Sequence, residues 1–138
     1  MQSQKKLQKT FSFEFYPPKT AEGKEKLRAT WRQLGQLKPK YFSCTYGAGG
    51  STREGTLATV LEIRAAGYEA APHISCVASS REDLKAQLES YKSHGIRHIV
   101  ALRGDLPSGL ASLGELRYAN ELVAFIRETA GDWFRIEV

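Results

Sequence analysis

No long apolar run occurs anywhere in the sequence. No stretch approaches the roughly 18 residues of a membrane span. The first ten residues, MQSQKKLQKT, contain no secretion-signal core and are expected to form a disordered tail. Neither membrane insertion nor export is expected, so the chain is read as cytoplasmic. Cysteine is scarce as well. Cys44 and Cys76 fall inside strand-like segments at no metal-ligand spacing, and both are expected to be reduced core residues. There is no Walker loop, no GxGxxG fingerprint, no nucleophile elbow and no EF-hand loop. No linker or low-complexity tract divides the chain, which is therefore read as a single domain.

Acidic residues are in the minority, 15 Asp and Glu against 20 Lys and Arg, for a formal charge of +5. Much of the excess lies early, at Lys5, Lys6, Lys9, Lys19, Lys24, Lys26, Arg28, Arg32, Lys38 and Lys40. A basic face can meet nucleic acid, but no recognised motif or interleaving of aromatic with basic residues supports that partner. A solvated surface with mild attraction for anionic ligands is the expectation.

What is present is an ordinary globular composition, 41% hydrophobic and 25% charged over 138 residues. Lys9–Tyr16 alternates strictly, with Phe11, Phe13 and Phe15 on one side and Ser12, Glu14 and Tyr16 on the other. Pro17 and Pro18 end that strand. A helix over about Ala21–Leu37 follows, striped by Leu27, Trp31 and Leu34. Tyr41–Tyr46 reads as a second strand running into Gly47–Gly50, and Ser51 with Glu54 has a capping-box pattern for a helix bearing Leu57, Val60, Leu61 and Ile63. Glu69–Val77 is a third strand. Ser79 with Glu82 opens a helix with Leu84, Leu88 and Tyr91 inward. Gly95 closes it, and Ile96–Leu102 is the short apolar run of a buried strand. Leu116, Ala119, Leu122, Val123 and Ile126 mark a fourth helix, and Trp133–Val138 a fifth strand.

Strand and helix alternate at spacings of roughly 30 residues, which implies βαβ units and a parallel sheet. Two α/β architectures fit: a doubly wound five-stranded sheet, or the first part of an eight-stranded (β/α)8 barrel. Ser12, Glu14, Ser43, Thr45, His73 and Ser75 all share one parity. A doubly wound sheet would bury that face under helices, Glu14 included, whereas a barrel turns it toward an open lumen. The barrel is favoured. A lone half-barrel leaves open sheet edges, so the chain is expected to be part of a longer protein.

Four polar clusters fall at or near the carboxyl ends of successive strands: Glu14 with Tyr16; Thr45-Tyr46-Gly47-Ala48; His73 with Ser75; and Arg103-Gly104-Asp105. In a closed barrel those ends converge. Glu14 and Asp105 then form a candidate carboxylate pair, one protonated as a general acid and the other ionised. An ion-paired structural role for Glu14 is the alternative. His73 alone reads as a hydrogen-bonded structural residue, and no spacing argues for a metal. Gly47–Gly50 could cradle a phosphate or simply make a tight turn. Arg103 could neutralise an anionic group such as a pyrophosphate.

Taken together, FSFEFYPPKT (Phe11–Thr20), TYGAGGSTR (Thr45–Arg53), AAPHISC (Ala70–Cys76) and GIRHIVALRGD (Gly95–Asp105) resemble the amino-terminal half of bacterial-type methylenetetrahydrofolate reductases, over nearly all of Phe11–Val138. The resemblance implies a β/α barrel that binds FAD at its strand ends, takes electrons from NADH or NADPH, and reduces 5,10-methylenetetrahydrofolate to 5-methyltetrahydrofolate. It implies that Glu14 is the general acid that opens the folate's five-membered ring to an iminium, and that Asp105 lies beside the flavin and contacts the pterin. Thr45 matches a nicotinamide- or substrate-contact position. Tyr46, Ala48, His73, Arg103, Gly104, Tyr118 and Ala119 match flavin-contact positions. A homo-oligomer is expected. In that family strand five continues past Val138 into an Ala-Tyr-Pro-Glu segment, so the chain resembles a truncated form, expected to be inactive alone.

Overall fold

A computed structural model describes residues 9–46, 53–105 and 114–138. Strand and helix alternate through it: β1 (Ser12–Phe15), α1 (Ala21–Gly35), β2 (Tyr41–Cys44), α2 (Arg53–Ala65), β3 (Ala70–Ser75), α3 (Arg81–Ser93), β4 (His98–Leu102), α4 (Ala119–Ala130) and β5 (Arg135–Glu137). All neighbouring strands pair in parallel, and their order in the sheet is their order in the chain. That order decides between the two architectures. A doubly wound sheet reverses direction at a switch point and covers both faces with helices. Here every right-handed crossover advances the same way, so the helices accumulate on one face and the sheet curls as the first part of a β/α barrel.

The side-chain register agrees. Phe13 lies beside Phe42, Phe42 beside Ala70, Ile74 beside Ala101 and Ile99 beside Ile136. This face forms one core with Trp31 of α1, Val60 and Ile63 of α2, Leu84 and Leu88 of α3, and Leu122 and Ile126 of α4. The opposite, concave face carries Glu14, Tyr41, Ser43, His73, Ser75, His98, Arg135 and Glu137. Its curvature is visible at Tyr41 and His98, whose ring centroids lie 4.4 Å apart although β3 runs between their strands. Level with His98 on β3 is Ala71, a single methyl and fully buried.

Several boundaries differ from those read in the sequence, each for a local reason. β1 starts at Ser12, whose partner Tyr41 is the first residue of β2; before it only Lys40 N reaches across, to Phe11 O at 2.9 Å. α3 is capped one residue later than Ser79 with Glu82. Ser79 is buried, and its hydroxyl lies within 3.5 Å of the carbonyls of Ser75 and Val77. Ser80 Oγ instead accepts from Asp83 N at 3.0 Å. β5 begins at Arg135, because Trp133 is fixed outside the ladder: its Nε1 donates to Ile96 O at 2.9 Å and the Arg97 guanidinium lies 3.3 Å over its ring. Ser51 of the second capping pattern, and residues 1–8 of the expected tail, lie outside the described residues. Cys44 and Cys76 are free and buried in the core.

Candidate active site

The parallel strands bring their carboxyl ends to one rim of the concave face, and most of the residues singled out in the sequence lie there. Glu14 projects from β1 beside Ser43, its side chain a little over half exposed. Its Oε2 reaches 3.8 Å from Nε2 of His73 on β3, across the intervening β2. Ser43 is small enough to let them approach. His73 is only 3% exposed, yet neither ring nitrogen has a hydrogen-bond partner among the described residues. Burial lowers its pKa, with the Glu14 carboxylate acting weakly in the other direction, so the imidazole is neutral at pH 7. A hidden imidazole with a free donor and a free acceptor is unusual, since buried polar groups are normally paired.

At the end of β4 the chain turns through Arg103 and Gly104. Gly104 has φ +84°, and a Cβ there would sit 2.0 Å from Ser75 Oγ and 2.8 Å from a Val77 methyl. Only glycine allows β4 to press against β3 at this level. The Arg103 carbonyl accepts from Ser75 Oγ at 2.8 Å and from Val77 N at 2.9 Å, which fixes the turn. The guanidinium is thereby left on the exposed side, its Nε donating to the adjoining Gly104 carbonyl at 3.2 Å. Asp105 follows and is exposed. Between it and Glu14 lie β2 and β3, and the side chain that Glu14 approaches in this segment is His73.

Thr45 continues β2, its N–H donating to Phe15 O at 2.9 Å and its carbonyl accepting from Thr56 Oγ1 at 2.7 Å. Tyr46 turns to the helix side: its ring lies under the Arg53 guanidinium and its hydroxyl accepts from Ser75 N at 2.6 Å. Ala48 lies outside the described residues. Tyr118 and Ala119 open α4 close to β3, the Tyr118 carbonyl accepting from Cys76 Sγ at 3.7 Å, with the Tyr118 ring largely exposed. The thiols are inert by environment. Burial pushes Cys44 up to about 12 and raises Cys76 as well.

Sequence reasoning treated Ser75 only as a polar neighbour and Tyr91 only as part of an apolar stripe. Both bond to strand-end backbone, Ser75 to Arg103 O and Tyr91 to His73 O. The available signal was a tyrosine among inward leucines, whose hydroxyl has to find a partner when buried. No group of three metal-ligating side chains occurs among the described residues, and no helix there is long and apolar enough to cross a membrane.

Fold and rim together define a β/α-barrel segment with an acid, a neutral histidine and an arginine-glycine-aspartate turn at its strand ends. The family model for methylenetetrahydrofolate reductase matches residues 1–138. The chain belongs to the methylenetetrahydrofolate reductase family. It is 44% identical over 120 residues to 5,10-methylenetetrahydrofolate reductase of Salmonella typhimurium, an alignment covering 86% of this chain and 40% of that protein. The Escherichia coli protein of the same name is 43% identical over the same shares. Methylenetetrahydrofolate reductase (NADH) 1 of Arabidopsis thaliana is 38% identical over 136 residues, 95% of this chain and 23% of the plant protein. The chain thus spans about 40% of the length of the bacterial relatives it matches.

Proposed function

We propose that this chain supplies the first strands of a barrel that reduces 5,10-methylenetetrahydrofolate to 5-methyltetrahydrofolate, with FAD held at the strand ends and NADH or NADPH as electron donor. The observation that carries this reading is the His73 imidazole: buried, neutral, without a partner at either nitrogen, and set beside the Glu14 carboxyl. An orphaned donor and acceptor facing the lumen suit the polar edge of a flavin, and the exposed Arg103 guanidinium suits an anionic group on the same ligand. His73, Arg103 and Gly104 would hold that group, with the Tyr46 backbone, Ala48, Tyr118 and Ala119 adding further contacts. When bound, FAD supplies hydride transfer from the nicotinamide to the folate.

The chain's own residues supply the proton and the geometry. Glu14 donates a proton from its carboxyl to a nitrogen of the folate's five-membered ring, which opens to a cationic iminium able to accept hydride. A neutral His73 beside it adds no competing fixed cation. Asp105, on the opposite side of the rim, contacts the pterin and places a negative charge near the flavin. Thr45 lines the position taken by nicotinamide or folate. Activity requires the strands that the longer relatives carry beyond this segment. The 138 residues alone are expected to elute without bound flavin absorbance, and the complete protein to elute as a yellow homo-oligomer.

The test is Glu14→Gln in the complete protein. Folate reduction should be abolished while reduction of the flavin by nicotinamide continues. Folate turnover that survives the change would remove Glu14 from the acid role.

A further inference from the structure

β2 leaves the sheet before β3 does. Its last paired residue is Cys44, opposite Pro72, whereas β3 continues beside β4 as far as Ser75. The backbone groups of β3 that face the departed strand need other partners, because a buried carbonyl or N–H left alone is costly. Two tyrosine hydroxyls provide them. Tyr46 Oη accepts from Ser75 N at 2.6 Å, and Tyr91 Oη donates to the His73 carbonyl at 3.1 Å. Tyr91 in turn accepts from Gln87 Nε2 at 2.6 Å. Burial raises both phenols above their usual range, so each keeps its proton, and the single O–H of Tyr91 is committed to His73.

Leu84 and Leu88 show what this stripe of α3 requires for packing alone, which is an apolar side chain. Tyr91 fills the third place with a ring that is 3% exposed and adds a hydroxyl aimed through the helix layer at the sheet. The residue it reaches is His73, whose ring nitrogens have no hydrogen-bond partner among the described residues. Both His73 ring nitrogens are free, so the placement of the imidazole depends on its backbone. We propose that Tyr91, oriented by Gln87, is a positioning residue: acting from the helix side of the sheet, it fixes the height and tilt of His73 on the concave face. The consequence for ligand binding rests on reading His73 as a flavin contact; the positioning itself does not.

The experiment uses the complete protein labelled at histidine, with His73 assigned by the signal lost in His73→Gln. Tyr91→Phe keeps the ring and removes only the hydroxyl. It should shift the His73 ring resonances, leave those of His98 in place, and weaken flavin binding about tenfold, the effect of one buried hydrogen bond. Gln87→Leu, at a half-buried position, should shift the same resonances by less. Leu88→Ala, on the same helix but without a bond to β3, should lower the melting temperature and move neither readout. The proposal is overturned if Tyr91→Phe and Gln87→Leu both leave His73 unmoved, or if Leu88→Ala displaces it equally. A His73 shift in a protein that binds no flavin even as wild type supports the positioning role and overturns the flavin assignment.

Discussion

On the helix-covered face of the sheet, Phe42, Ile74 and Ile99 are fully buried against apolar partners from the helices. On the concave face, His73 and His98 are almost as hidden, yet neither ring nitrogen of His73 has a hydrogen-bond partner among the described residues, and those of His98 lie 3.4 and 3.7 Å from the carboxylates of Glu137 and Glu69. Burial on the first face stabilises, because apolar area leaves water and nothing polar goes with it. Burial on the second face costs stability, because a donor and an acceptor lose water without replacement. The same short strands therefore hold two populations of residues under opposite physical demands, kept apart by the period-two alternation of the backbone. Concealment alone does not identify a core residue. Whether its polar atoms are matched does.

That contrast can be broken from either side. Phe42→Ala, on the helix face, should destabilise the protein by about 4 kcal/mol in denaturant unfolding, as expected for an aromatic ring removed from a close-packed core. Gly104→Ala should cost about 2 kcal/mol through backbone strain and its collision with Ser75 Oγ, and should also disturb the rim. A smaller effect comes from pH. Burial holds His73 and His98 below the usual histidine pKa, so the unfolded chain takes up protons near pH 6.5 that the folded chain refuses. Stability should consequently fall as pH drops from about 7 toward 5, and His73→Gln should flatten that slope. Glu14→Gln should change stability least, within about 0.5 kcal/mol, because the side chain is more than half exposed. If it destabilised as much as Phe42→Ala, the two faces would not be separable in the way the register implies.

The division between the faces was legible in the sequence because it is local. Strict alternation in Lys9–Tyr16, and the shared parity of Ser43 with His73, need only the two-residue period of a strand. The direction of curl was legible too, since a carboxylate such as Glu14 cannot sit unpaired beneath helices. The choice of Ser80 over Ser79 as the helix cap was not. It depends on Ser79 being drawn into the turn after β3, where Arg53 of α2 also donates to it at 3.0 Å. The approach of Glu14 to His73 depends on how far the sheet bends across β2. The bond from Tyr91 to His73 joins residues 18 apart in sequence and on different layers. No periodicity encodes such a contact. Only the premature end of β2 creates the demand for it.

Tyr41 and His98 meet over β3 where the sheet of this segment bends. Viewed end-on, the strands are the stones of an arch, and Ala71 is its narrowest wedge. The bend from β2 to β4 at this level is limited by how closely the rings on either side can lean together above that one methyl. A bulkier residue at this place would prise the stones apart, flatten the vault and draw the distant rim open. The bend across the concave face thus turns on the small side chain between those two rings, in the same register row as Ser43 and Glu14.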